Sequence, residues 1–226
     1  MSEPEKLVIK VNDADSVTAL LYPASKKTRA GTTIILGHGA GANQLSGFMR
    51  LFAAGLAERG LDALTFNFIY TEKGRGAPDP KPKLEACWRA VIDAASKHKK
   101  LKGNDLFIGG KSMGGRIASQ VAAEGDDRIK GLVFLGYPLH PPGQPQKLRT
   151  DHWPSIKVPM LFMQGTRDSL GTPDEIKPIL KKLKVQAEMY VVDTGDHSLK
   201  VQKSVGLTQD EVYARAMDKI VEWSKQ

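Results

Sequence analysis

The sequence predicts an α/β fold: a mainly parallel central sheet of about eight strands, flanked by helices on both faces. Three observations carry this. Apolar runs alternate with helical patterns along the chain, the signature of strands joined by crossover helices. The runs in the middle of the sequence are hydrophobic almost throughout, as strands covered on both faces are. The 226 residues hold no Gly/Ser linker, internal repeat or charged tail, which reads as one domain over 1–226, large enough to bury a substantial core.

In chain order, strands over 7–11 and 17–22 open the chain as a pair. Further strands fall at 32–36, 63–68, 105–108, 131–135, 158–163 and 188–192. Helical spacing fills the intervals. Leu84, Trp88, Val91, Ile92 and Ala95 form one apolar face. Ile176, Ile179, Leu180 and Leu183 form a second, and Val212, Ala216, Ile220 and Trp223 a third. In such sheets reactive groups gather where strands end at their carboxyl termini. The stretch 137–154 is short and holds Pro138, Pro141, Pro142, Pro145 and Pro154, so no lid domain is expected. The cleft should then be open or shallow, shaped by residues 70–83 and 140–153.

Composition narrows the function classes. The net charge is +8, but the densest basic stretches, 97–102 and 181–184, lie near helix ends where cations favour the helix dipole. No aromatic residues interleave there for base stacking, so a solvated face is expected and nucleic-acid binding is not. No apolar run reaches the length of a membrane span. The polar opening, Met1 to Lys6, reads as no secretory signal. With Cys87 the only cysteine, a cytoplasmic protein is expected.

The chemistry concentrates at Gly-Gly-Lys-Ser-Met-Gly-Gly, residues 109–115. It follows an apolar strand and opens a helix of small and apolar residues, so Gly-x-Ser-x-Gly sits at a sharp strand-to-helix turn. Such a turn lifts the Ser112 hydroxyl above the sheet edge in a strained backbone conformation. A serine hydroxyl is a poor nucleophile at neutral pH and needs a base, which needs an orienting acid. The chain supplies both in the order serine, acid, histidine: Asp168 lies just past the strand at 158–163, and His197 just past 188–192. Asp193 is the rival acid; Asp196 adjoins His197 too closely to face it. Acyl transfer also needs donors for a developing oxyanion. The N–H of Met113 is one candidate. The loop Gly-His-Gly-Ala-Gly-Ala-Asn at 37–43 offers the other at Ala40, with Gly41 second. His38 reads as a loop-stabilising hydrogen bonder or a pocket residue. Tyr70 is a further candidate for the pocket. His140 either lines the pocket or is a turn histidine held by prolines. Arg149 and His152 are candidates for an anionic substrate group.

These residues together resemble the α/β-hydrolase fold across essentially the whole chain. The match is closest to a small dienelactone-hydrolase-like branch, which includes testis-expressed protein 30 and the hydrolase-like domain of a subunit of the NSL histone acetyltransferase complex. The stretches that carry the resemblance are 38–43, 66–68, 110–116, 136–143, 165–168 and 196–198. It implies Ser112 as nucleophile, Asp168 as acid and His197 as base. Dienelactone hydrolases carry a cysteine at the elbow where Ser112 stands, so dienelactone chemistry is not implied.

Other readings lose. A phosphate loop ending in Gly110-Lys111-Ser112 would need glycine where Asp105 stands. A dinucleotide fingerprint at 37–42 lacks its acidic residue at the end of the next strand, which reads Phe66-Asn67-Phe68. No metal-ligand spacing is present, and no cofactor is expected. The expectation is a serine hydrolase of small carboxylic esters or thioesters, whose partner is a small-molecule acyl substrate. A hydrolase-fold binding or scaffold protein with little turnover, and a serine peptidase or amidase, are the alternatives. Oligomeric state is not legible.

Overall fold

A computed structural model describes residues 3–226; Met1 and Ser2 of the polar opening lie outside it. Eight strands form one sheet: β1 (Glu5–Lys10), β2 (Ser16–Tyr22), β3 (Thr32–Gly37), β4 (Asp62–Phe66), β5 (Asp105–Lys111), β6 (Ile129–Leu135), β7 (Met160–Gly165) and β8 (Ala187–Val192). Their spatial order is β1-β2-β4-β3-β5-β6-β7-β8. β2 runs antiparallel to both its neighbours, and every other pairing is parallel. The helices are α1 (Gly47–Glu58), α2 (Ile69–Glu72), α3 (Lys81–Lys97), α4 (Met113–Ala123), α5 (Pro173–Leu180) and α6 (Gln209–Trp223).

Every expected strand occurs, with informative differences at the ends. β5 continues past Ile108, because Gly109, Gly110 and Lys111 pair with Val133, Phe134 and Leu135 of β6. β4 stops at Phe66 rather than residue 68. There Asn67 turns its side chain to the Gln44 amide, which donates to its Oδ1 at 2.9 Å. Helix α5 ends at Leu180, so Leu183 packs on the core from the turn that follows. Helices α5 and α6 each begin with a capping box, Thr172 with Glu175 and Thr208 with Glu211. Each box satisfies amide donors that a helix start leaves unpaired.

The sheet separates two cores. On one face the side chains of α3, α4 and α5 pack, including Trp88, Val91, Ile117 and Ile176. On the other, α1 and α6 contribute Phe52, Leu56, Ala216 and Ile220. Strands buried from both sides explain the unbroken apolar runs of the middle sequence. The link from β6 to β7 contains a single 3₁₀ turn, Trp153–Ser155, and no lid helices. Aromatic packing fastens this link to the sheet: Tyr137 and Trp153 meet edge-on, and both contact Phe162. The Tyr137 hydroxyl donates to the Arg149 carbonyl (2.7 Å) and accepts from the Trp153 indole (3.1 Å).

Candidate active site

Strand β5 ends at Lys111 and α4 begins at Met113, leaving Ser112 alone in the turn with φ 51° and ψ −115°. A non-glycine residue with positive φ stores backbone strain and persists only where its surroundings impose it. Here the surroundings are glycines. A Cβ on Gly110 would come within 2.6 Å of the Gly37 nitrogen, and one on Gly114 within 2.8 Å of the Gly37 Cα. Bare backbone at both positions lets the turn press against the end of β3.

Two loops beyond the ends of β7 and β8 extend a chain of contacts from Ser112. His197, beyond β8, places Nε2 at 2.8 Å from Ser112 Oγ. Its Nδ1 lies 2.7 Å from Asp168 Oδ2, beyond β7. A carboxylate on Nδ1 holds the proton there and leaves Nε2 as the acceptor facing the hydroxyl. Asp168 is fully buried, and its charge is compensated by more than the imidazole. The Leu170 amide donates to Oδ1 at 2.9 Å, and the Gln164 amide donates to Oδ2 at 2.7 Å. The rival acid Asp193 is exposed and takes the Thr194 amide (2.9 Å). Asp196 shapes its own turn by accepting from the amides of Ser198 and Lys200.

Lys111 is not the phosphate-binding lysine its motif imitates. Its ammonium donates to the carbonyl of His197 and lies 5.7 Å from the Phe48 ring. Burial pushes its pKa down to about 8, against the opposing pull of Asp168 and Asp196. Residues 111 and 112 therefore grip the backbone and the ring of the same histidine.

Ser112 opens into a cavity of about 400 Å³ that Ala40 and Met113 also line. Met113 is the first residue of α4, where amides have no partner within the helix. A Cβ on Gly39 would sit 3.6 Å from the Ser112 Cβ, so the 37–43 loop passes in contact with the serine. Pro78, Lys81, Pro142 and Arg149 line the cavity from the two segments that the sequence assigned to it, and Arg116 and Ile117 of α4 and Leu170 beyond β7 line it as well. A larger cleft, of about 560 Å³, lies at the opposite end of the sheet, lined by Thr32, Asp105, Lys130 and Trp223. No serine–histidine pair lines it, so volume does not mark the candidate site.

Four of the expected pocket residues do not line this cavity. His38 is fully buried. It accepts the Phe68 amide at Nε2 (3.3 Å) and donates from Nδ1 to the Gly39 carbonyl (2.9 Å), bracing one strand-end loop against another. Burial lowers its pKa. Tyr70 is buried beside it, ring edge to ring face. His140 is a buried turn histidine, its Nδ1 3.0 Å from the Pro141 carbonyl and its Nε2 3.4 Å from Glu175. Gly41 is exposed with φ 70° and stands outside the wall. His152 is also elsewhere, 2.7 Å from Ser119 Oγ. Burial pushes its pKa down to about 4, which makes it a neutral ring rather than an anion binder at neutral pH. Sequence reasoning missed Gln164. Its only signal was a polar residue closing an otherwise apolar strand. Among the described residues, no group of three or more His, Cys, Asp or Glu side chains could hold a metal ion.

A lidless sheet of this order, with a strained serine at the β5–α4 turn and histidine and aspartate beyond the last two strands, defines an α/β-hydrolase-type molecule. The comparisons agree. The chain belongs to the Alpha/beta hydrolase domain family, whose match spans residues 30–225. Solved structures with the same fold include an alpha-beta serine hydrolase homologue from Coxiella burnetii, with 18% identity, 98% of each chain covered and a TM-score of 0.76. A dienelactone hydrolase from Anabaena variabilis is 18% identical over 98% of this chain and 97% of its own, with a TM-score of 0.75. An esterase from Pyrococcus furiosus is 18% identical over 96% of this chain and 89% of its own, with a TM-score of 0.72.

Proposed function

We propose that the protein is a serine hydrolase that cleaves small carboxylic esters or thioesters through an acyl-enzyme. The observation that carries this is the unbroken line of contacts Ser112 Oγ to His197 Nε2 (2.8 Å) and His197 Nδ1 to Asp168 (2.7 Å), at the edge of an open cavity. Ser112 Oγ attacks the carbonyl carbon while its proton passes to His197 Nε2. The charge that develops on the carbonyl oxygen is held by the amides of Met113 and Ala40. Asp168 stabilises the imidazolium. Collapse expels the alcohol or thiol, which takes the proton from Nε2. Water then repeats the sequence on the acyl-serine and regenerates the hydroxyl. No cofactor enters these steps. The open rim, without a lid, suits small acyl groups. The hydrolase and esterase names among the structural neighbours support the same reading.

The stretches 38–43 and 110–116 support placing the chain in the small dienelactone-hydrolase-like branch with testis-expressed protein 30. Cys87, buried and free, fits a reducing, cytoplasmic setting. No helix among the described residues is long and apolar enough to cross a membrane.

A fluorophosphonate probe should label the wild-type protein at Ser112, and Ser112→Ala should not label. Hydrolysis of a short-chain p-nitrophenyl ester should fall by about 10³-fold or more in Ser112→Ala, the scale set by removing one member of such a triad. Equal labelling of both proteins, or wild-type hydrolysis no faster than that of Ser112→Ala, would return the chain to a binding role.

A further inference from the structure

The cavity beside Ser112 has an unusual charge inventory. Its wall holds Lys81, Arg116 and Arg149 against a single carboxylate, Asp79. Asp79 is already engaged, accepting from Arg75 at 2.7 Å. Lys81 leans towards Glu85 at 3.4 Å. Arg116 and Arg149 are different. Neither guanidinium meets a carboxylate within 4 Å among the described residues, and neither donates a hydrogen bond to the protein. The Nε of Arg116 is buried with no partner.

Elsewhere the chain does not leave half-buried arginines in this condition. Arg29, Arg59, Arg75, Arg89 and Arg128 each pair with a carboxylate. Arg50, Arg167 and Arg215 are exposed to water. Two neighbouring half-buried cations without partners are costly, because desolvation and mutual repulsion both act against them. Burial lowers the pKa of both, and the Arg149 charge lowers that of Arg116 further.

The arrangement is also held in place. Arg116 stands one turn along α4 from Ser112, its amide donating to the Ser112 carbonyl at 3.0 Å. Arg149 belongs to the β6–β7 link, and its backbone is fixed at both polar groups. Its amide donates to Leu139 O (2.8 Å), and its carbonyl accepts the Tyr137 hydroxyl (2.7 Å). Two guanidiniums are thus presented to the space in front of Ser112 before any ligand arrives.

We propose that Arg116 and Arg149 form an anion clamp that selects substrates bearing a doubly charged phosphate near the scissile ester. A dianion matches the two unpaired positive charges, and phosphate oxygens match the guanidinium fork. A single carboxylate satisfies one of the two. As a statement about substrate this rests on the hydrolase reading; as a statement about binding it does not.

The test is calorimetric titration of the wild-type protein with phenyl phosphate, benzoate and benzyl alcohol, which share a ring and differ in charge. Phenyl phosphate should bind at least about tenfold more tightly than benzoate, and benzyl alcohol least. Phenyl phosphate should also slow fluorophosphonate labelling of Ser112, which locates it in this cavity. Arg149→Gln should weaken phenyl phosphate binding about tenfold or more, with Arg149→Lys recovering part of it. If the Gln variant fails to fold, the three wild-type titrations decide. Phenyl phosphate binding no better than benzyl alcohol, or benzoate matching phenyl phosphate, overturns the clamp. Absence of labelling with phosphate binding intact overturns the hydrolase reading instead and leaves the clamp standing.

Discussion

Gln164 shows how much one uncharged side chain can organise. Its amide nitrogen donates to Asp168 Oδ2 (2.7 Å) and to the Gly171 carbonyl (2.6 Å), and its Oε1 accepts the Tyr137 amide at 2.8 Å. It therefore joins the Asp168 loop to the first residues of the β6–β7 link, in the fully buried interior. Gln164→Leu removes these bonds, leaving the Gly171 carbonyl and the Tyr137 amide without partners and Asp168 Oδ2 with His197 alone. We expect a loss of about 1–3 kcal/mol in unfolding free energy, the cost of orphaned buried groups. We also expect kcat to fall about tenfold with KM little changed, because a displaced Asp168 misorients His197 without touching substrate. Urea titration and steady-state ester kinetics read the two effects. A drop in stability with kcat intact would confine Gln164 to a structural role.

At the scale of elements, the Ser112 turn is a contact between β5, α4 and β3. Gly114 lies in the first turn of α4 against Gly37, at the end of β3. Gly114→Ala forces a methyl group into the Gly37 backbone, which cannot yield without breaking the β3–β5 pairing of Gly37 with Gly110. A loss of about 3 kcal/mol or more is expected, larger than the helix propensity that alanine returns. The measurement is the urea midpoint; Gly125→Ala, at a position where a Cβ meets nothing, supplies a comparison limited to its own φ of 90°. Similar midpoints for the two variants would show that the turn has slack.

Across the whole molecule, stability should depend on pH through His152. Burial first, then the charges of Lys81 and Arg116, hold its folded pKa at about 4, while Asp151 pulls weakly the other way. In the unfolded chain an ordinary histidine titrates near 6.5. Between these values the unfolded state binds a proton that the folded state does not, so stability rises with pH across the window and is lost as pH falls from about 6.5 to 4. His152 is partly exposed, so the loss is about 2 kcal/mol at most after solvent screening. His152→Gln keeps a donor for Ser119 and should flatten this part of the curve. Unfolding free energies of both proteins at pH 7, 5.5 and 4.5 check it, and parallel curves would assign the acid sensitivity to other groups.

The strands and the helix faces were legible because periodicity is a local property: alternating runs and 3.6-residue spacing survive in one dimension. So was the chain order of Ser112, Asp168 and His197, since each follows a strand whose carboxyl end the alternation locates. The glycines flanking Ser112 announced a backbone constraint that any reader of the sequence meets. What the chain could not announce is which side chains meet. The sequence put Asp168 ahead of its rival Asp193 without showing its contact with His197; His38 and Tyr70 turn into the core, and Arg116 joins Arg149 from a segment 33 residues away. Each of these depends on the order in which strands lie in the sheet and on the registers between them. That order comes from the summed packing of two cores, not from any local pattern, so only the folded structure could decide them.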